Sequence, residues 1–190
     1  SRASSQPAFW NERYQAHDRL FGTAPDPFLA DALGMFPSGT TVLDVGGGDG
    51  RNTLPLAREY GFEVTVLDFA HDALDTATAY ANVHNITAAA MHADVRTWTP
   101  QRRYDAAVVA FVQLLPKERQ RLYAQLRAAV KPGGRIIGVW FRCDHEEEAY
   151  DRIGPSKPDR YVSANEIRAA LAEDTIRECD AVDRTVQQGP

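Results

Sequence analysis

Short apolar runs recur along the chain at residues 42–45, 64–67, 88–91, 106–112 and 136–141. None alternates apolar with polar residues as a strand with one wet face does, so each predicts a strand covered on both sides. Between the runs the apolar spacing lengthens to that of a helix. Leu115, Leu122, Leu126, Ala129 and Val130 make one stripe, closed by Lys131-Pro132-Gly133-Gly134, and Leu74, Ala77 and Ala81 make another. Strand and helix alternating with short links predict an α/β fold, a doubly wound, mainly parallel sheet with helices on both faces.

The segments outside this pattern predict accessory elements. Residues 1–40 hold an aromatic-rich amphipathic stretch, Phe9-Trp10-Asn11-Glu12-Arg13-Tyr14, and a rigid turn at Pro25-Asp26-Pro27. Together they read as an N-terminal helical cap. After residue 141 come an acidic run at 144–148, Gly154-Pro155 and a helix near 163–171, where Ser163 and Glu166 have the spacing of a capping box. A last strand-like run covers 175–186. Residues 1–190 read as a single domain, with a cap (1–40), a core (41–141) and a C-terminal substrate-side segment (142–190).

Composition narrows the partners. The 190 residues, 44% hydrophobic and 25% charged, suffice for one buried core. A net charge of -5 gives no general attraction for phosphate backbones, so no nucleic acid partner is expected. Arg119, Arg121 and Arg127, interleaved with Glu118, Gln120 and Gln125, read as the wet face of a helix. The cysteines, Cys143 and Cys179, have no zinc spacing. Neither a leader nor a membrane-spanning run is present in the sequence, and a cytoplasmic setting without membrane attachment is expected. The chain opens at Ser1 without an initiator Met and reads as a trimmed piece.

The candidate chemistry lies where the first run ends. In Val42-Leu43-Asp44-Val45-Gly46-Gly47-Gly48-Asp49-Gly50, glycines stand at 46, 48 and 50 as a strand hands over to a helix. Glycine there accepts positive φ and lets a ligand approach the backbone. The spacing differs from the dinucleotide fingerprint Gly-x-Gly-x-x-Gly, whose third glycine, counted from Gly46, would fall on Arg51. A nicotinamide-dependent oxidoreductase is disfavoured on that ground. Asp68 closes the second run and Asp94 follows the third. Acids at the carboxyl ends of three consecutive parallel strands converge on the switch point of a doubly wound sheet, where ligands bind. Asp68 is placed to accept hydrogen bonds from a ribose diol. Taken singly, each acid could instead cap a helix, Asp94 above all.

This loop resembles motif I of the class I S-adenosylmethionine-dependent methyltransferases, Asp/Glu-x-Gly-x-Gly-x-Gly. The likeness over residues 41–141 implies their Rossmann-like fold and S-adenosylmethionine as cofactor. By that resemblance Asp44 and Gly46 face the methionine end, with Gly48 and Gly50 completing the loop, and Asp68 binds the ribose. Asp94 and the Val95 amide would read the adenine, Phe69 would pack against it, and Ala110 would meet the cofactor through its backbone. A narrower likeness rests on Phe9-Trp10-x-x-Arg13-Tyr14, on Phe21-Gly22-Thr23-Ala24-Pro25-Asp26-Pro27-Phe28-Leu29, and on Phe111-Val112-Gln113-Leu114-Leu115-Pro116. These resemble the tellurite-resistance (TehB-like) branch. Gln113 stands where that branch has a histidine, and an extra leucine precedes Pro116, so no role of the histidine carries over. The chain stops at Pro190, where the branch runs on into a final strand; either that last strand is missing or the chain is cut before it.

The resemblance implies methyl transfer to a small-molecule substrate, a metalloid oxyanion or a thiol, by in-line displacement without a metal. The fourth run ends Ala110-Phe111-Val112-Gln113, without the Asn/Asp-Pro-Pro-Tyr of amino-methyltransferases or the acid that holds magnesium in catechol-type enzymes. The substrate-side candidates are Arg13, Tyr14, His17 and Gln113. Arg13 and Tyr14 are expected to close over the methionine carboxylate or an anionic substrate. The competing expectation is that Trp10 and Tyr14, at i and i+4, only form the buried stripe of the cap helix. The other histidines make no metal-like pair. The alternative function is a non-catalytic S-adenosylmethionine-binding module, serving as a regulatory or partner subunit.

Overall fold

The computed structural model describes residues 4–17, 19–142, 155 and 157–183. Cys143, the acidic run 144–148, Gly154 and residues 184–190 lie outside the described residues. Five strands, β1 (Thr41–Val45), β2 (Glu63–Asp68), β3 (Ala88–His92), β4 (Tyr104–Ala110) and β5 (Val130–Val139), form one sheet in the order β3-β2-β1-β4-β5. Every pairing is parallel. The helices are α1 (Pro7–Ala16), α2 (Pro27–Leu33), α3 (Leu54–Tyr60), α4 (His71–Val83), α5 (Pro116–Ala129) and α6 (Ala164–Ala170).

The runs of β1, β2, β4 and β5 lack polar alternation because each of these strands feeds two cores. The run at 88–91 corrects that expectation, since β3 is an edge strand whose Ala88, Ala89 and Ala90 are exposed. Leu43, Val45, Leu67, Ala107 and Val109 pack with Leu122, Leu126 and Trp98 on the α5 face. Val42, Val64, Val66, Ala106 and Val108 pack with Leu33, Leu54 and Leu74 on the face of α2, α3 and α4. Successive residues thus alternate between two apolar layers, and each fully buried leucine contributes about 1.5–3 kcal/mol.

Several expected boundaries shift, each for a local reason. β4 ends at Ala110 because Phe111 turns to φ 56. Lys131-Pro132-Gly133-Gly134 does not precede the fifth strand but lies inside it. Val130 already pairs with Tyr104 and Arg135 with Ala106, so the residues between loop out as a bulge, with Gly133 at φ 79. Of the strand-like run 175–186, the described part, 175–183, forms no strand. Cys179 packs against the core, but Ile176 and Val182 face water, 39% and 67% exposed, so no second layer covers them.

A charged cluster on α5 and α6 ties the C-terminal part to the core. Ser163 Oγ accepts the Glu166 N–H at 3.1 Å, but the Glu166 carboxylate does not return to the helix start as a capping box requires. It takes Arg119 Nε at 2.6 Å and Nη2 at 2.8 Å, together with the Tyr123 hydroxyl at 2.9 Å. Arg119 is only 3% exposed, which corrects the reading of all three arginines as a wet helix face. Arg121 and Arg127 do stay on that face, Arg127 pairing with Glu173 and Asp174.

Candidate active site

Links from β1 lead to β2 on one side, while β4 and β5 lie on the other, so a crevice opens beyond Val45. The glycine loop fills its floor. Gly46 sits at φ 64, and a side chain there would meet Val112 Cγ2 at 2.5 Å. Gly48 sits at φ 57, directly beneath the Tyr14 hydroxyl. Both positions combine a left-handed backbone with a close neighbour, which glycine alone tolerates.

Asp68, at the end of β2, is 7% exposed. Its Oδ2 accepts the Gly48 N–H at 2.8 Å and its Oδ1 the Ala70 N–H at 2.8 Å. Burial pushes its carboxyl up and these two donors act against that. Asp44 lies under Gly47, fully buried, its Oδ2 accepting the Thr53 hydroxyl at 2.6 Å and its Oδ1 without a partner among the described residues. Burial, reinforced by nearby Asp68 and Asp49 and opposed by Thr53, raises it to about 7.

Charges that sequence reasoning missed surround the loop. Asp49, 2% exposed, receives the Arg51 N–H at 3.2 Å and lies 3.8 Å from Arg19 Nε. Arg19 stacks over Tyr80 at 4.7 Å, and Arg51 Nη1 donates to the Phe21 carbonyl at 2.7 Å. In the sequence Arg51 reads only as the residue standing where a third glycine would be; its charge on the glycine loop is the signal that points to it. At the end of β3, Asp94 is gripped by Arg96, with Nε at 2.9 and 3.0 Å and Nη2 at 2.5 Å, which holds its carboxyl below the usual range.

A cavity of about 640 Å³ occupies the crevice. Gly46, Asp68, Phe69, Asp94, Val95 and Ala110 line it, whereas Asp44, Gly48 and Gly50 stand behind its wall. Arg13, Tyr14, His17 and Gln113 line it from the other elements. The cap reaches the site because α1 docks on α4. Asn11 Oδ1 accepts the Asp72 N–H at 3.3 Å and Gln15 Nε2 donates to Asp72 Oδ2 at 2.8 Å. Tyr14 packs on Phe21 at 6.3 Å and also rests on the loop, while α1 carries no fully buried residue, so it is more than one side chain of a buried stripe. Burial, then Asp68 and Asp49, push its hydroxyl well above the ordinary tyrosine value. On the outer face of α4, His71 pairs with Asp75 at 3.2 Å, an exposed i,i+4 contact away from the cavity.

The opposite wall is the stretch after β4. Phe111 donates its N–H to the Val139 carbonyl at 2.8 Å, and its ring lies 4.7 Å from that of Phe141. None of residues 157–183 lines the cavity, but two buried arginines act on this wall. Arg160 Nη1 donates to the Gln113 carbonyl at 3.1 Å and Arg119 Nη1 to the Leu114 carbonyl at 2.7 Å.

A family model described as a methyltransferase domain matches residues 42–134, from β1 into β5. The chain is 30% identical over 133 residues to the ubiquinone biosynthesis O-methyltransferase of Rickettsia conorii, covering 70% of this chain and 46% of that protein. TehB from Haemophilus influenzae has a similar structure, with a TM-score of 0.65 at 22% identity over 80% of this chain and 51% of that one. A SAM-dependent methyltransferase from Geobacter sulfurreducens, solved in complex with S-adenosyl-L-homocysteine, has a TM-score of 0.55 at 20% identity over 68% of this chain and 54% of that one. These two structural likenesses show the fold. The chain spans about half the length of these relatives. Glycine loop, sheet order and matched span agree: the 42–134 core, about half of the chain, matches the methyltransferase-domain family and has the fold of S-adenosylmethionine-dependent methyltransferases.

Proposed function

We propose that the chain transfers a methyl group from S-adenosylmethionine to a small-molecule acceptor. The observation that carries this is Asp68. Two backbone N–H groups fix its carboxylate at the cavity wall, leaving lone pairs for a ribose diol. Gly46 and Gly47 offer a bare backbone beside it, and Asp49, Arg51 and Asn52 present opposite charges and an amide to an amino-acid end. Phe69 and Val95 would receive the adenine, and Asp94 would contact its amino group with the lone pairs Arg96 leaves. When bound, the cofactor supplies an electrophilic methyl on a sulfonium.

What remains for the protein is alignment and exclusion of water. The cap helix covers the loop through Tyr14, and the wall at 111–114 sets the direction of approach. For the acceptor, a metalloid oxyanion or a thiol is the reading the sequence offers. The apolar wall after β4 favours a soft, weakly hydrated nucleophile such as a thiolate over a strongly hydrated oxyanion. No acid stands at the end of β4 to hold a metal against that wall, which supports displacement without one.

Calorimetric and thermal-shift titration with S-adenosylmethionine and S-adenosylhomocysteine, with NAD as control, tests the reading. Micromolar binding with a raised melting temperature is expected, absent for NAD and lost in Asp68→Ala. A chain that binds neither sulfur compound sinks it. Tight binding with no methylated product on any acceptor would instead mark a cofactor-binding module without catalysis.

A further inference from the structure

The two ends of the cavity differ in chemistry. Toward β2 and β3 it is polar, with Asp68, Asp94 and Arg96. Toward β4 and β5 it is walled by Phe111, Val112, Leu114 and Phe141. Gln113 and Glu118 are the polar side chains on that side, and Glu118 is turned to its own helix, accepting the Leu115 N–H at 2.7 Å. The Phe111 and Phe141 rings, 4.7 Å apart and inclined by 37°, make an aromatic floor. Phe111 reaches it from φ 56, a conformation that a bulky residue holds only at a cost and that gathers at functional sites.

Among the described residues one cation that lines this cavity, Arg13, has no carboxylate paired with it. Asn11 and Gln15 turn toward α4, and Arg13 leaves α1 on the opposite side. Its guanidinium lies 5.2 Å from the Phe9 ring and 6.0 Å from the Trp10 ring, and among the described residues no carboxylate pairs with it. The methionine end has its own cation in Arg51, so Arg13 is not needed there.

We infer that the acceptor is a flat aromatic anion, a ring seated on Phe111 and Phe141 with a carboxylate held by Arg13. This rests on the methyl-transfer reading. A planar guanidinium takes a carboxylate through two parallel hydrogen bonds, and aromatic rings favour offset or edge contact with another ring. A ring-free oxyanion would leave the floor uncovered, and an ammonium would meet the like charge of Arg13. The nucleophile is a phenolate or thiolate on the ring, ionised in solution before it binds. Its lone pair forms the bond to the methyl carbon while the carbon–sulfur bond breaks. The released pair stays on sulfur, a neutral thioether leaves with the methylated ring, and the protein moves no proton.

Calorimetry on the chain saturated with S-adenosylhomocysteine tests this, with intrinsic tryptophan fluorescence as a second readout. The probes are 4-hydroxybenzoate and 4-mercaptobenzoate (anionic rings), 4-hydroxybenzyl alcohol (neutral ring), tyramine (cationic ring) and selenite (anion without a ring). The acids are expected to bind about tenfold or more tighter than the alcohol, with tyramine and selenite weaker still. Arg13→Gln is expected to abolish the preference for acid over alcohol and leave S-adenosylhomocysteine affinity unchanged. Methylation of one acid and not the other assigns the nucleophile as oxygen or sulfur. Equal affinity for acid and alcohol, selenite binding better than the rings, or an Arg13→Gln variant that loses S-adenosylhomocysteine instead of the acids would overturn the inference. A wild-type chain that fails to bind S-adenosylhomocysteine overturns the methyl-transfer reading beneath it.

Discussion

The phenolic oxygen of Tyr14 rests on the α-carbon side of Gly48, where no Cβ could stand. A residue of the cap and a residue of the glycine loop therefore depend on each other for space. Gly48→Ala should displace Tyr14 and place an L-residue at φ 57, costing about 1–3 kcal/mol in denaturant unfolding. In a Tyr14→Ala background the same change should cost less, because only the backbone penalty remains. Additive costs would show that the two do not touch in solution.

Asp44 is the group whose burial works against the fold. Its folded value of about 7 lies above that of an unfolded aspartate, so the native state holds the proton more tightly. Stability is then lost as pH rises from about 4 to about 7 and does not recover above that. Asp44→Asn keeps an acceptor for the Thr53 hydroxyl and removes the charge. Its unfolding free energy should exceed that of the wild type at pH 8 and converge with it near pH 4, the gap reaching at most about 4 kcal/mol. A gap independent of pH would refute the account.

Asp105 acts in the opposite sense. Lys131 Nζ at 2.8 Å, then the Thr41 hydroxyl at 2.7 Å and its N–H at 2.8 Å, hold its carboxyl down to about 2. The stability it adds is complete above about pH 4 and lost as pH falls toward 2. Asp105→Asn should flatten the acid limb of the stability curve between those values and leave the curve above pH 5 unchanged in shape. Raising the salt concentration should weaken the wild-type effect, since the group is partly exposed.

Glu166 joins α6 to α5. Burial alone would raise its carboxyl, but hydrogen bonds from Arg119 and Tyr123 outweigh that and hold it low. Glu166→Ala leaves the buried Arg119 guanidinium facing an absent partner, and a loss of about 2–4 kcal/mol is expected. Limited proteolysis should then cut between residues 157 and 183 before it cuts the sheet. Arg119→Met with Glu166→Leu should recover much of the loss, because both charges go together.

Four of the five strands were legible from sequence because burial on two faces leaves short apolar runs bounded by turn residues, whereas β3 was found from a run of alanines that the sheet edge leaves exposed. That Gly46, Asp68 and Phe69 line one cavity could be anticipated because strand ends and glycine spacing are local signals. The Arg119–Glu166 pair was not legible. Its partners lie on different helices, and a charge among helix-surface residues reads as wet unless the packing of both helices is known. Arg96 was hidden differently: two residues from Asp94, it looked like loop polarity, and only the geometry shows it competing for the carboxylate expected to read a base. The described part of the strand-like run, 175–183, forms no strand because local composition does not say whether a layer exists to cover it.

Arg160 and Arg119 hold the wall after β4 by its carbonyl oxygens, and every residue type carries the same carbonyl. The brace is therefore indifferent to the side chain at Gln113. A substitution there can change what the wall presents to an incoming molecule without loosening the wall. Selectivity and rigidity have become separable properties of one short loop, so new acceptor preferences are within reach of single mutations that leave the scaffold as stable as before.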